Sequence, residues 1–170
     1  MSVKTHFNVL FLSRHNSVRS IIAESVLRRQ GRGNFTSFSA GITPGESVDP
    51  IVLDILTVAE YPTEGLHAKS WTEFAGSKAP PLDFVFTLCD LEAGEEACQW
   101  PGRPITGTWR YPDPEKIVGE DWQRRKELST ILAGLERQLT AFMFLPYKSL
   151  DSISLEKQLQ QAASQFAGNP

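Results

Sequence analysis

The segment 7–30 constrains the fold most, because a compact apolar run is followed at once by a helical pattern. Residues 7–12 are nearly all apolar and stop abruptly at Ser13, which is typical of a strand buried in a parallel sheet. After a short polar turn, apolar side chains recur at helical spacing until Gly31. The sequence therefore predicts a strand, a tight turn and a helix, which is the repeating unit of α/β sheets.

The rest of the chain continues this alternation. Further strands are predicted at residues 35–40, 83–88 and 104–109, and helices are predicted to begin at Asp49 and near Glu120. Strands that alternate with helices indicate a parallel sheet covered on both faces.

The C-terminal half is predicted to be largely helical. The long helix carries Trp122 on its apolar face and the basic residues 124–126 on its exposed side. A further amphipathic helix is expected near the C-terminus. We divide the chain into a domain over residues 1–148 and a helical extension over residues 149–170. The extension either packs on the domain or binds a partner.

Composition narrows the function classes. The chain has 170 residues, 41% of them hydrophobic and 22% charged, which is ordinary for a globular domain. Its net charge of −3 does not favour binding to nucleic acid. We find neither an export signal nor an apolar stretch of the roughly 20 residues that a membrane span requires. We therefore expect a cytoplasmic monomer or homodimer that binds neither nucleic acid nor membrane.

The turn at residues 13–20 is the best candidate for a binding site. In open α/β sheets, ligands bind beyond the carboxyl ends of the strands. A loop that enters a helix N-terminus presents unpaired backbone N–H groups to an anion. Arg19 adds a planar guanidinium that fits two oxygens of a phosphate. Since the turn lacks the glycines of a nucleotide-binding loop, it predicts a site for a tetrahedral oxyanion.

These residues and others along the chain resemble the low-molecular-weight protein tyrosine phosphatases and the thioredoxin-coupled arsenate reductases, which share one fold. The matching segments are residues 9–13, 16–20, 23–24 and 39–41 and, for the arsenate reductase branch, residues 87–90, Cys98, residues 100–102, Trp109 and residues 112–114. The resemblance implies a three-layer α/β/α sandwich of the phosphotyrosine protein phosphatase I-like type. Its four-stranded parallel sheet has the order 2-1-3-4, with an extra C-terminal helix in this chain.

The resemblance also implies roles for individual residues. Ser13 stands where the family has its nucleophilic cysteine, and Arg19 would hold the oxyanion. Asp113 corresponds to the general acid, although an aspartate between two prolines is also ordinary turn chemistry. His15 either contacts the anion or lies on the surface. The full oxyanion-binding set implied by the family is Ser13, Arg14, His15, Asn16, Ser17, Val18 and Arg19.

Other side chains are implied to support the loop or to hold an ion. The supporting residues are Asn16, Ser20 and Ser39, and part of a potassium site is matched by Asn16, Glu24 and Ser39. No cofactor is required, and the expected ligand is phosphate, sulfate, arsenate or a phosphorylated molecule.

Cys89 and Cys98 match the second and third cysteines of the thioredoxin-coupled branch, in which a three-cysteine relay ends in a disulfide that thioredoxin opens. The polar residues 90–97 between them are expected to let the pair meet. Equally, Cys89 is readable as a buried thiol at a strand end and Cys98 as an incidental loop thiol.

The serine at position 13 decides the predicted function. A helix N-terminus lowers a thiol pKa from ~8.5 to ~3.5–7.5, whereas the pKa of a hydroxyl lies far above neutral pH. Arg14 and His15 also replace the family's small residues, which favours natural divergence over one engineered substitution. We predict an oxyanion-binding protein that is catalytically impaired. The alternatives are a module that binds or senses phosphate or a phosphoprotein, and a redox switch through Cys89 and Cys98.

Overall fold

The computed structural model of the protein describes residues 4–90, 98–147 and 152–167. Its four parallel strands are β1 (Phe7–Ser13), β2 (Phe35–Gly41), β3 (Phe84–Thr87) and β4 (Ile105–Thr108), and they form one sheet in the order β2-β1-β3-β4. Its helices are α1 (Arg19–Gln30), α2 (Pro50–Val58), α3 (Asp121–Met143) and α4 (Ser152–Ala167). The predicted α/β class and strand order are confirmed.

Both faces of the sheet are buried, which explains why its central strands are almost wholly apolar. On one face, Val9 and Phe11 of β1 pack in a single cluster with the apolar sides of α1, α2 and α3. On the other face, Leu10 and Leu12 pack against Phe74 in a 3-10 turn, Trp71–Phe74. This turn and the residues around it form the third layer.

α4 covers the edge of the sheet. It contacts β4, the last strand in the order, and also α3. Leu155 and Leu159 on α4 are buried in the same cluster as the inner side of α3. A helix over an edge strand shields unpaired backbone groups from other chains. The predicted domain boundary after residue 148 lies outside the described residues and stays a prediction. Within the described part of the chain, none of the helices has the length and apolar character to span a membrane.

The first two turns of α3 differ from the prediction. Trp122 was predicted to be on the apolar face, but it is 65% exposed, so that prediction is wrong. Burial along the helix starts at Leu128, so the first two turns lie outside the hydrophobic core. Glu120 and Gln123 close this free end with a capping box, in which each side chain bonds the other residue's backbone N–H.

The buried hydroxyl of Tyr147 makes the fold less stable in alkaline solution. Its hydroxyl donates to the carbonyl of Phe142, and its ring packs against Phe7 and Phe35. Burial raises the pKa of Tyr147 above its ordinary value near 10. The folded protein therefore keeps a proton that the unfolded chain releases above pH 10, and stability falls as the pH rises further.

We expect Tyr147→Phe to cost about 1 kcal/mol at pH 8, where it removes one hydrogen bond. Between pH 10 and pH 11 the wild type should lose up to about 1.4 kcal/mol more than the variant, because only the wild type carries this titration. Urea denaturation at pH 8, 10 and 11 measures both effects. If the free energy of unfolding falls equally in the two proteins across this pH range, Tyr147 is not the cause of the alkaline loss of stability.

Candidate functional site

The turn between β1 and α1 is held from behind by residues 42–49. Four of its carbonyl oxygens accept backbone hydrogen bonds of 2.8–3.1 Å from that segment. The donor and acceptor pairs are Ile42 to Ser13, Thr43 to Arg14, Gly45 to His15 and Asp49 to Ser17. Because these carbonyls accept hydrogen bonds from residues 42–49, the backbone N–H groups of the turn and of the first residues of α1 are left to bind a ligand.

Asn16 fixes the shape of this turn. It is fully buried and has a φ of 52°, in the left-handed region that asparagine tolerates better than most residues. Its Oδ1 accepts from the backbone N–H of Lys69 at 3.0 Å, and its Nδ2 donates to Ser20 Oγ at 2.8 Å. A Cβ on Gly41 would lie 3.1 Å from Asn16 Cβ, so the close approach of β2 to the turn favours glycine there.

Ser13 and Ser20 form a short hydrogen bond at the bottom of the site. Their Oγ atoms lie 2.6 Å apart, and both residues are buried. Because Asn16 donates to Ser20 Oγ, the Ser20 hydroxyl hydrogen is available to point at Ser13 Oγ. In that arrangement Ser13 keeps its own hydrogen for an anion. The same donor would stabilise a thiolate if residue 13 were cysteine.

Arg19 is the buried cation of the site. It is 6% exposed, and its Nη1 donates to the carbonyls of Leu88 at 3.3 Å and Tyr111 at 3.2 Å. Burial lowers the pKa of Arg19 from its ordinary value near 12.5, while Cys89 and Asp113 oppose that shift. A guanidinium still remains charged at neutral pH. Among the described residues nothing takes up its Nε and Nη2 groups, which can therefore serve a ligand.

A cavity of about 270 Å³ joins the turn to the segment after β4. Ser13 and Arg19 line it, together with Ser17 and Val18. Asp113 lines the same cavity, so the structure brings the predicted general acid to the predicted oxyanion site. Its Oδ1 accepts from the backbone N–H of Glu115 at 3.1 Å and begins a 3-10 turn, Pro114–Lys116.

Arg124 is a site residue that sequence reasoning missed. It was predicted to lie on an exposed helix face, but it lines the cavity. Its Nη1 donates to the carbonyl of Pro114 at 2.8 Å, and its Nη2 contacts Asp49 Oδ2 at 2.5 Å. Asp49 Oδ1 in turn caps α2 by accepting from Ile51 N. Arg124 thus ties the Asp113 turn to the start of α2.

Arg14 and His15, two further residues of the predicted oxyanion-binding set, differ in their position relative to the cavity. Arg14 is not among the cavity-lining residues, and its Nη2 donates to the carbonyl of Asp90 at 2.9 Å. His15 lines the cavity, with Nδ1 2.9 Å from the Thr43 carbonyl and Nε2 3.1 Å from Glu115 Oε1. The side chain of His15 therefore belongs to the site, whereas the side chain of Arg14 donates to the Asp90 carbonyl.

A sequence model of the low molecular weight phosphotyrosine protein phosphatases matches residues 8–161. The chain belongs to this family. A comparison with curated protein sequences found no significant match.

Solved arsenate reductase structures have the same fold as this phosphatase-family chain. One in the phosphate binding state has a TM-score of 0.61 at 19% identity and covers 81% of this chain and 96% of its own. An Archaeoglobus fulgidus arsenate reductase gives 0.58 at 21% identity, with 78% and 98% covered. A thioredoxin-dependent arsenate reductase of Corynebacterium glutamicum gives 0.57 at 22% identity, with 84% and 64% covered.

Both cysteines of this family member lie in the described residues, and no disulfide joins them there. Cys89 is buried directly after β3, close enough to Arg19 to influence its pKa. Cys98 is half-buried in the apolar cluster of Leu12 and Trp100 on the other side of the sheet. Of the link that was expected to let them meet, residues 90–97, all but Asp90 lies outside the described residues. Their pairing as a disulfide stays a prediction.

Two of the three residues implied for potassium, Glu24 and Ser39, already face cations of the chain. Glu24 Oε2 accepts from Ser39 Oγ at 2.6 Å, and Glu24 Oε1 lies 3.3 Å from Arg28 Nη2. Lys69 Nζ lies 3.4 Å from Ser39 Oγ and 2.8 Å from the His67 carbonyl. Burial lowers the pKa of Lys69, and Glu24 opposes that shift. A potassium ion does not fit this set, because two side-chain cations already face its oxygens.

Proposed function

We propose that this protein binds a tetrahedral oxyanion, phosphate or arsenate, between the β1–α1 turn and Asp113, and that it does not perform the covalent chemistry of its family. The observation that carries the proposal is the pairing of a complete anion cradle with a hydroxyl at position 13. Among the described residues, the Nε and Nη2 groups of Arg19 have no partner and can serve an anion, and the turn supplies backbone N–H groups.

The hydroxyl at position 13 supports binding more than attack. Even the largest downward shifts found at buried sites would leave the pKa of a serine hydroxyl well above neutral, so that almost every molecule is un-ionised at pH 7. The neutral Ser13 also removes the negative charge that a thiolate would direct at the bound anion. Ser13 instead has a hydroxyl hydrogen to donate, since Ser20 Oγ lies 2.6 Å away as its partner.

Isothermal titration calorimetry at pH 7 with phosphate, arsenate and sulfate tests the proposal. We expect one site per chain and saturable heat with phosphate and arsenate. Sulfate carries no proton at pH 7, unlike phosphate and arsenate. Weaker binding of sulfate would therefore show a preference for protonated oxyanions, and equal binding would show that any tetrahedral anion is accepted. Absence of saturable heat with all three ions would refute the proposal.

Two alternative functions make different predictions. A module that recognises a phosphoprotein would use the same cradle and bind a phosphopeptide more tightly than free phosphate. A redox switch would form a Cys89–Cys98 disulfide after mild peroxide, detectable by mass spectrometry. A role for thioredoxin, a cytoplasmic location and a monomeric or homodimeric state stay predictions.

A further inference from the structure

His15 and Glu115 bridge two elements that are far apart in the sequence. Nδ1 of His15 lies 2.9 Å from the carbonyl of Thr43, and because a carbonyl only accepts, Nδ1 carries a hydrogen. Nε2 then faces Glu115 Oε1 at 3.1 Å, a contact that becomes an ion pair when the imidazole is protonated. The ring is thus held at both nitrogens, once within the anion cradle and once on the Asp113 side.

This bridge lies at the outer end of the cavity. Ser13 and Arg19 at the bottom are 2% and 6% exposed, whereas the side chains of His15 and Glu115 are 30% and 67% exposed. All four line the same cavity. A ligand held at the bottom therefore has the bridge between itself and solvent on one side.

The charges around the cavity give Glu115 a second effect. Asp49, Asp113 and Glu115 all line it, and Arg124 contacts Asp49 at 2.5 Å. His15 Nε2 is the side-chain nitrogen that contacts Glu115. A ligand that displaced this bridge would leave the Glu115 carboxylate unpaired beside its own negative charge.

We propose that the His15–Glu115 bridge makes the site selective for free tetrahedral oxyanions over phosphomonoesters. A free ion fits beneath the bridge, whereas the substituent of a phosphomonoester that extends toward this side of the mouth meets the bridge and displaces it. The inference rests on the proposed oxyanion binding and names the ligand class that the same site prefers.

Calorimetry with inorganic phosphate and phenyl phosphate tests the selectivity. We expect the wild type to bind phosphate more tightly than phenyl phosphate. Glu115→Ala should lower the ratio of the phenyl phosphate to the phosphate dissociation constant by about two- to fivefold, the range for an exposed ion pair. His15→Ala should lower it similarly. Glu156→Ala, at an exposed position on α4, is the control and should leave the ratio unchanged.

The double variant tests whether the two residues act as one unit. If they do, His15→Ala with Glu115→Ala should change the ratio no more than either single substitution. Additive effects, or a ratio that Glu115→Ala leaves unchanged, would overturn the selectivity inference while oxyanion binding stands. Failure of the wild type to bind phosphate would instead remove the proposed function itself.

Discussion

Ser13→Cys should convert the protein into a measurable phosphatase. A thiol at this position would have Ser20 Oγ as a donor, the N-terminus of α1 behind it and Arg19 to hold the transferred group. These features lower a thiol pKa from ~8.5 to ~3.5–7.5, so much of it would be ionised at pH 7. Asp113 lines the same cavity and can protonate the leaving oxygen.

The expected gain in p-nitrophenyl phosphate hydrolysis over the wild type is on the order of 10³-fold. It should fall short of the 10⁶-fold scale that a nucleophile contributes in a fully adapted enzyme, because His15 and Glu115 still bridge the mouth. Initial rates at saturating substrate measure the gain. Ser17→Cys is the matched control, since it places a thiol in the same cavity and leaves the Ser13–Ser20 hydrogen bond in place.

Two outcomes would contradict this account. Robust hydrolysis by the wild type that is lost on substitution of Arg19 would show that the protein is already an enzyme. A Ser13→Cys variant that is no faster than Ser17→Cys would show that the cradle no longer supports a nucleophile. Adding Asp113→Asn to Ser13→Cys should lower the rate by about 10²-fold or more if Asp113 acts as the acid.

The parts of the fold and site that the sequence predicts are those encoded locally. The turn between β1 and α1 follows from a buried strand that stops at Ser13 and a helix that starts at once. Asp49 and Pro50 mark the start of α2 for an equally local reason, since Asp49 caps Ile51 N. The strand order itself followed from family resemblance rather than from these local patterns.

The features that were missed depend on tertiary placement. Trp122 has helical apolar spacing, but the sequence does not show that the first turns of α3 extend beyond the core. Arg124 contacts Asp49, which is 75 residues away, and His15 contacts Glu115 across 100 residues. Lys69, in the segment after α2, contacts Ser39 on β2, so a lysine ammonium faces the oxygens that were implied to bind potassium. No short-range pattern encodes such pairs.

Arg19→Lys should weaken phosphate binding by at least about a hundredfold. Lysine retains the positive charge but not the planar fork, so the loss measures bidentate contact rather than charge. Two charge-assisted hydrogen bonds at about 1.5 kcal/mol each correspond to about 3 kcal/mol, or roughly two decades in affinity. Calorimetry with phosphate measures this, with Arg32→Lys at an exposed position as the control.

The same substitution has a structural cost that must be separated from the binding cost. Arg19 Nη1 bonds the carbonyls of Leu88 and Tyr111, and an ammonium can satisfy one of them more readily than both. We expect a loss of about 1–3 kcal/mol in the free energy of unfolding, measured in urea without ligand. A variant that remains folded and binds phosphate as tightly as the wild type would contradict the role of Arg19. A variant that folds but no longer binds phosphate would place the oxyanion against Nε and Nη2 of Arg19, which have no partner among the described residues.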